Sequence, residues 1–198
     1  MGNFKVKDHY FNKAKSENYL ARSIYKLEEV DEKYHVLKPG IKVVDLGYFP
    51  GSWIQYTSKV VGDHGQVVGI DIQEVNKKLT GLKNVRVYQK DIFDIQDLSQ
   101  LDVSEAFDVV LSDMAPKTTG IKSLDQDRSL NLVESVFGLL PRFLKPGGHF
   151  VIKVFDSQHA QNYLKLQKNL FSEFHYLKPK STRSVSKEFF VIGKNFRA

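Results

Sequence analysis

The 198-residue chain contains no cysteine, which removes disulfides, thiolate zinc sites, iron–sulfur clusters and a cysteine nucleophile together. No apolar run reaches roughly eighteen residues, so no segment reads as a transmembrane helix. The opening stretch, MGNFKVKDHY, alternates charge and aromatic character where a secretory signal would place an apolar core. Val6 stands where an N-myristoylation signal on Gly2 needs Ser or Thr. These absences predict a cytoplasmic protein that neither spans a membrane nor is anchored to one. The six histidines are scattered without ligand spacing, and Asp125-Gln126-Asp127 lacks the rest of a calcium loop, so no metal site is expected. Repeats, low-complexity stretches and Pro/Gly-rich linkers are also missing, and the length fits one domain over residues 1–198, with residues 1–38 as a helical N-terminal extension.

Charge is plentiful and unevenly placed. Of the formal net charge of +6, residues 1–26 carry +4 and residues 165–198 carry +6, which leaves −4 on the middle of the chain. Basic ends around an acidic middle point to a small-ligand domain whose termini converge on a polyanion such as RNA. Solvated lysine that keeps the protein soluble is the plain alternative.

Leu20, Ile24, Leu27 and Val30 recur at helical spacing and predict one amphipathic helix over residues 18–36, closed by Lys38-Pro39-Gly40. Short β-branched runs then alternate with helical patterns: Val43–Leu46, Val67–Ile70, Val85–Tyr88, Val109–Leu111 and Phe150–Val154. Apolar strands separated by crossovers make a parallel sheet with helices on both faces. The longest crossover, about residues 125–144, carries Leu130, Val133, Val136, Phe137 and Leu140 on one face and ends at Lys145-Pro146-Gly147-Gly148. Two further runs, near Phe174–Leu177 and Glu188–Ile192, flank a turn and predict an antiparallel pair. The fold class is α/β, Rossmann-like.

The first strand leads into Asp45-Leu46-Gly47-Tyr48-Phe49-Pro50-Gly51-Ser52-Trp53. In an open α/β sheet ligands bind beyond the carboxyl ends of the strands, where a glycine turn admits close backbone approach; a purely structural turn would read the same. Asp45 sharpens the choice. A carboxylate there repels a dinucleotide pyrophosphate and attracts a ligand with ammonium and sulfonium groups, such as S-adenosylmethionine. The Gly47–Gly51 spacing also departs from G-x-G-x-x-G, so NAD is the runner-up. Asp71, after the second strand, can bind ribose hydroxyls, and Asp91, after the third, can bind an adenine amino group, while each alone also reads as a turn or cap residue.

The fourth strand empties into Ser112-Asp113-Met114-Ala115-Pro116, and Lys153 stands between Ile152 and Val154 in the fifth. A lysine in an apolar strand needs a partner, an exit to solvent or a chemical task, and Asp113 is a natural partner. Taken alone, Lys26 reads as a surface helical lysine and Glu188 as an exposed edge acid.

Together these residues carry a resemblance. The chain resembles the FtsJ (RrmJ) family of RNA ribose 2′-O-methyltransferases, whose Lys–Asp–Lys–Glu tetrad matches Lys26, Asp113, Lys153 and Glu188. The local contexts are Arg22-Ser23-Ile24-Tyr25-Lys26-Leu27, Ser112–Pro116, Ile152-Lys153-Val154-Phe155, and Arg183 with Glu188, and the match runs from about residue 8 to 195. Tyr48 and Phe49 replace two small residues of the family loop, Ser52 replaces a glycine, and Lys117 stands where the family tends to have Asn; the bulky pair is expected to crowd the methionine end of the cofactor.

The resemblance implies a class I methyltransferase with a mostly parallel seven-stranded sheet, using S-adenosylmethionine to methylate a ribose, most of all a uridine of large-subunit ribosomal RNA. Transfer RNA as substrate, or a non-catalytic RNA-binding assembly factor on the same fold, stays open. It assigns Lys26, Asp113, Lys153 and Glu188 to catalysis, and Asp45, Gly47, Gly51, Trp53, Asp71, Asp91 and Asp113 to the cofactor. A lysine ordinarily titrates at about 10.4, and desolvation together with Lys26 nearby would lower Lys153 toward use as a base or hydroxyl-orienting group. Lys15, Arg22, Lys180 and Arg183 are the candidate phosphate contacts of a protein expected to be monomeric.

Overall fold

The β-branched runs become the parallel strands β1 (Lys42–Leu46), β2 (Gln66–Asp71), β3 (Val85–Gln89), β4 (Phe107–Ser112) and β5 (Leu144–Phe155) in a computed structural model describing residues 9–117, 119–183 and 186–197. Two antiparallel strands, β6 (Phe171–Leu177) and β7 (Glu188–Phe196), complete a seven-stranded sheet of order β3-β2-β1-β4-β5-β7-β6. Strand order reverses between β1 and β4, the crevice where open α/β sheets take their ligands. The positions of the lipid-anchor reading, Gly2 and Val6, lie outside the described residues.

Side chains alternate between two cores. On one face Val44, Leu46, Val110, Phe150 and Ile152 pack under α4 (Lys122–Phe143) and α5 (Gln158–Gln167). On the other, Val43, Val67, Val109, Leu111, Val151, Phe190 and Ile192 pack under α2 (Ile24–Tyr34) and α3 (Ser52–Val61). Continued by twos, the second set leads to Asp45, Asp71, Asp113, Lys153 and Glu188, so the alternation places every one of these charges on the α2/α3 side.

The N-terminal segment differs from the single helix expected over 18–36. α1 (His9–Ser16) is separate from α2, Asn18 takes a positive φ of 59°, and Leu20 lies in the connection, its N–H donating to Gln55 Oε1 at 2.8 Å. Leu27, Val30, Val36 and Leu37 are buried in the sheet's core, so α2 is a covering layer of the fold rather than an appendage. The long helix ends as expected just before Lys145–Gly148, and those residues run directly into β5: Leu144 already pairs with Phe107, and a register shift between Phe107 and Val109 takes up Gly147, with φ of 78°. Among the described residues no helix is long and apolar enough to cross a membrane.

Candidate active site

A hollow of about 710 Å³ opens at the carboxyl ends of β1 to β4. Gly47 follows β1, Asp71 ends β2 and Ile72 follows it, Asp91 and Phe93 follow β3, and Asp113 to Lys117 follow β4. Gly47 has φ of 74°, and a Cβ there would come within 2.1 Å of Met114 Cγ, so only glycine allows the loop to pass β4.

The charged tetrad assembles beside this hollow. Lys153 Nζ lies 2.9 Å from Asp113 Oδ1 and also donates to the Asp113 carbonyl oxygen. Register explains the meeting: β4 ends with Ser112 opposite Ile152, so Asp113 emerges next to Lys153. On the other side Lys153 pairs with Phe190, and Phe155 with Glu188. Residues directly opposite share a face, so Lys153 and Glu188 are diagonal neighbours. α2 lays Lys26 over the pair, where it forms an ion pair with Glu188 and sits 5.8 Å from the centre of the Phe190 ring. Side-chain exposure is 13% for Lys26 and 11% for Glu188, so neither is the surface charge it resembles when read alone. β7 is also not an edge strand, since it lies between β5 and β6.

Electrostatics divides the carboxylates into two kinds. Burial pushes the Glu188 carboxyl up, but the hydrogen bond from Lys26 and the charges of Lys26 and Lys153 outweigh it and hold the group below its ordinary value. Asp45 is the opposite case. It is 1% exposed, neither carboxylate oxygen has a hydrogen-bond partner, and burial, followed by the charges of Asp113 and Asp71, raises it well above the ordinary value.

The fit to S-adenosylmethionine follows from these groups. A buried, unpartnered carboxylate flanked by two more calls for a cation. Exposed Ile72 and Phe93 beside Asp71 and Asp91 suit the flat base and hydroxyls of a nucleoside. Asp91 Oδ1 meanwhile accepts from Phe93 N at 3.0 Å, and Asp71 accepts from Phe49 N and Gln73 N at 3.0 and 2.9 Å, so both also hold their own loops.

Not every expected cofactor residue lines the hollow. Asp45 lies behind its wall. Gly51 packs inward, where a Cβ would meet Leu79 Cδ1 at 2.5 Å. Trp53 is 2% exposed and donates its indole N–H to Ser23 O at 2.8 Å while packing on Phe190, so it joins α3 to α2. The expected crowding is halved: Tyr48 turns into the core against Gly69, and only Phe49 reaches the hollow. Ser52, where the family has glycine, shares a 2.9 Å hydrogen bond with Ser23 Oγ.

Of the candidate phosphate contacts, Lys15 and Lys180 are exposed on α1 and on the β6–β7 connection. Arg22 donates to Ser181 O at 2.5 Å, and desolvation, followed by the like charge of Arg183, lowers the pKa of its guanidinium. Glu29 Oε2 and Oε1 accept from Lys180 N and Ser181 N at 2.6 and 2.9 Å, fixing that connection to α2. Glu29 and Asp125, which receives Thr119 N at 2.7 Å and Gly120 N at 3.1 Å, carry no recognisable pattern in sequence. Among the described residues no cluster of three or more metal-ligating side chains occurs.

Comparison with known proteins points to one family. The model of the FtsJ-like methyltransferase family matches residues 19–196. A ribosomal RNA large subunit methyltransferase E from Bdellovibrio bacteriovorus is 46% identical over 96% of this chain and 97% of its own length. That of Syntrophobacter fumaroxidans is 45% identical over 98% of both. Among solved structures, a Plasmodium falciparum protein assigned as a ribosomal RNA methyltransferase superposes with a TM-score of 0.77 at 28% identity, covering 90% of this chain and 98% of that one. Matched by the family model along most of its length and by relatives along nearly all of theirs, this chain belongs to the FtsJ-like methyltransferase family.

Proposed function

We propose that the protein methylates the 2′-hydroxyl of a ribose in ribosomal RNA, a uridine of the large subunit, using S-adenosylmethionine. The observation that carries this reading is the double position of Asp113, which lines the hollow and also holds Lys153 Nζ at 2.9 Å. One residue thereby links the cofactor side of the site to the side where a hydroxyl can be held. When bound, the cofactor supplies a methyl group on a positively charged sulfur, an electrophile for in-line displacement. Lys153 holds the ribose oxygen in line, Asp113 fixes Lys153, and the Lys26–Glu188 pair closes the other side. Gly47, Asp71, Asp91 and Asp113 line the hollow and hold the cofactor, with the Asp45 carboxyl acting from behind its wall, while Gly51 and Trp53 support the loop. Lys15, Arg22, Lys180 and Arg183 face the RNA backbone.

The names of the large-subunit methyltransferase relatives support the choice of RNA. The chain acts as one domain, as a monomer, in the cytoplasm, on RNA presented by the ribosomal large subunit. Purified protein incubated with methyl-labelled S-adenosylmethionine and undermethylated large subunits tests this. An alkali-resistant 2′-O-methylated dinucleotide is expected, and none from Lys153→Ala. Absence of that product with wild type, on particles and on free ribosomal RNA, would overturn the reading.

A further inference from the structure

A second groove, of about 510 Å³, lies between α1, the connection that follows it and the short turn Lys77–Leu79. Its walls include Phe11, Lys15, Arg22 and Lys78, and its floor is Gln55 of α3. Gln55 accepts from Leu20 N at 2.8 Å and donates to Asn18 O at 3.1 Å, so the connection is held open at a set width. Three features of this groove bear on what it binds, and the first sets it apart from the other described grooves.

The first is charge. Lys15, Arg22 and Lys78 line the groove without a single carboxylate, whereas each of the other four described grooves contains at least one acid. Lys15 and Lys78 make no ion pair among the described residues, so their charge is directed at solvent. The second is an exposed aromatic face. Phe11 is 59% exposed and shares a face of α1 with Lys15, four residues on. The third is continuity with the catalytic tetrad. Arg22, which lines the groove, precedes Lys26 by four residues across a turn closed by Tyr25 N to Arg22 O at 3.3 Å and Lys26 N to Ser23 O at 3.1 Å, so the groove adjoins the tetrad.

An all-cationic groove presenting a bare aromatic ring fits a single-stranded nucleic acid, in which phosphates find the cations and a base finds the ring. An acidic peptide would satisfy the cations without using Phe11. Resting on the RNA reading above, we infer that this groove holds a single-stranded RNA nucleotide next to the target ribose, with its base against Phe11 and its phosphates on Lys15 and Lys78. The substrate is then locally unpaired on that side of the modified nucleotide, because a ring can stack only on a base freed from its helix.

The test uses the full chain and a fluorescein-labelled single-stranded RNA oligonucleotide carrying the ribosomal target sequence, followed by anisotropy at several salt concentrations. Phe11→Ala is expected to weaken binding roughly five- to a hundredfold, and Phe11→Trp to restore it. Lys15→Ala with Lys78→Ala makes the plot of log affinity against log salt shallower by about 1.4. Affinity for S-adenosylhomocysteine stays at the wild-type value in every variant, because none of these side chains lines the hollow. Unchanged RNA affinity and salt slope, in protein whose wild type still methylates, would overturn the groove alone. Wild type that neither binds RNA nor methylates would overturn the functional reading as well. Loss of cofactor binding in the variants would assign these residues to the fold. Loss of activity only on ribosomal particles, with naked-RNA affinity intact, would assign the groove to a protein, and either result rejects the inference.

Discussion

Trp53 donates its indole N–H to the carbonyl oxygen of Ser23 at 2.8 Å, and this bond ties the glycine loop after β1 to the helix that carries Lys26. The hydroxyls of Ser52 and Ser23 make a second tie at 2.9 Å. α3 therefore begins by gripping the start of α2, and one turn later α2 delivers Lys26 to Glu188.

Trp53→Phe keeps the ring against Phe190 but removes one of the two donors to the Ser23 carbonyl, leaving only Lys26 N at 3.1 Å. A stability loss of about 1–2 kcal/mol is expected, together with a lower kcat and little change in cofactor affinity. Thermal melting, calorimetry with S-adenosylhomocysteine and methylation rates check this in one set of proteins. A tenfold weaker cofactor affinity with kcat intact would return Trp53 to the cofactor site.

Lys153 and Asp113 differ in what they touch, so their variants should differ in kind. Lys153→Ala is expected to lower methyl transfer by about 10²–10⁴-fold while cofactor binding persists, since Lys153 does not line the hollow. Asp113→Asn should affect both. Lys153→Arg keeps the charge but changes its geometry, and it too is expected to fail. Equal loss of cofactor affinity in Lys153→Ala and Asp113→Asn would contradict the division.

Much of this arrangement was legible in the residues, and the limits of that reading are physical. Strand periodicity placed Asp45, Asp71 and Asp113 at strand ends, because a two-residue repeat survives in any strand that is buried. The same logic could not show what Trp53 bonds: its N–H reaches Ser23 O on another element, a tie that leaves no trace in spacing. Lys26 and Glu188 look like ordinary surface charges because their burial depends on a partner 162 residues away. The break between α1 and α2 was hidden because Leu20 falls in helical phase with Ile24 while its N–H bonds outside the helix, to Gln55. Gln55, Glu29 and Asp125 act on backbone N–H groups, which leave no pattern in side-chain spacing.

Asp45 carries a desolvation cost that a bound cation would offset. Its folded-state pKa lies well above the ordinary 3.8, so the stability associated with its neutral form is fully present below about that pH and is lost as pH rises through the raised value. At neutral pH the cofactor-free protein carries this burden. Asp45→Asn removes it and is expected to stabilise the free protein by on the order of 1–3 kcal/mol, while weakening S-adenosylhomocysteine about 10–100-fold. Melting temperatures across pH and a titration of each protein decide the matter. Lower stability of the variant at neutral pH would show that Asp45 has a cation within the fold.

The Lys26–Glu188 pair obeys the opposite sign. Glu188 is held below its ordinary 4.5, so its contribution is present above that value and is lost as pH falls through the depressed one. Glu188→Gln leaves Lys26 with a weaker acceptor at 13% exposure and is expected to destabilise by about 1.5–3 kcal/mol at neutral pH, with the difference from wild type vanishing in acid. Lys26→Met should cause a similar loss, and the double variant should lose less than the sum, because removing both charges spares the cost of burying one alone. Additive losses would mean that the two side chains act independently. Activity separates structure from chemistry in the same proteins. A double variant that regains stability without regaining methyl transfer would show that the pair serves the ribose side of the site, whereas recovery of both would reduce it to a clamp between α2 and β7.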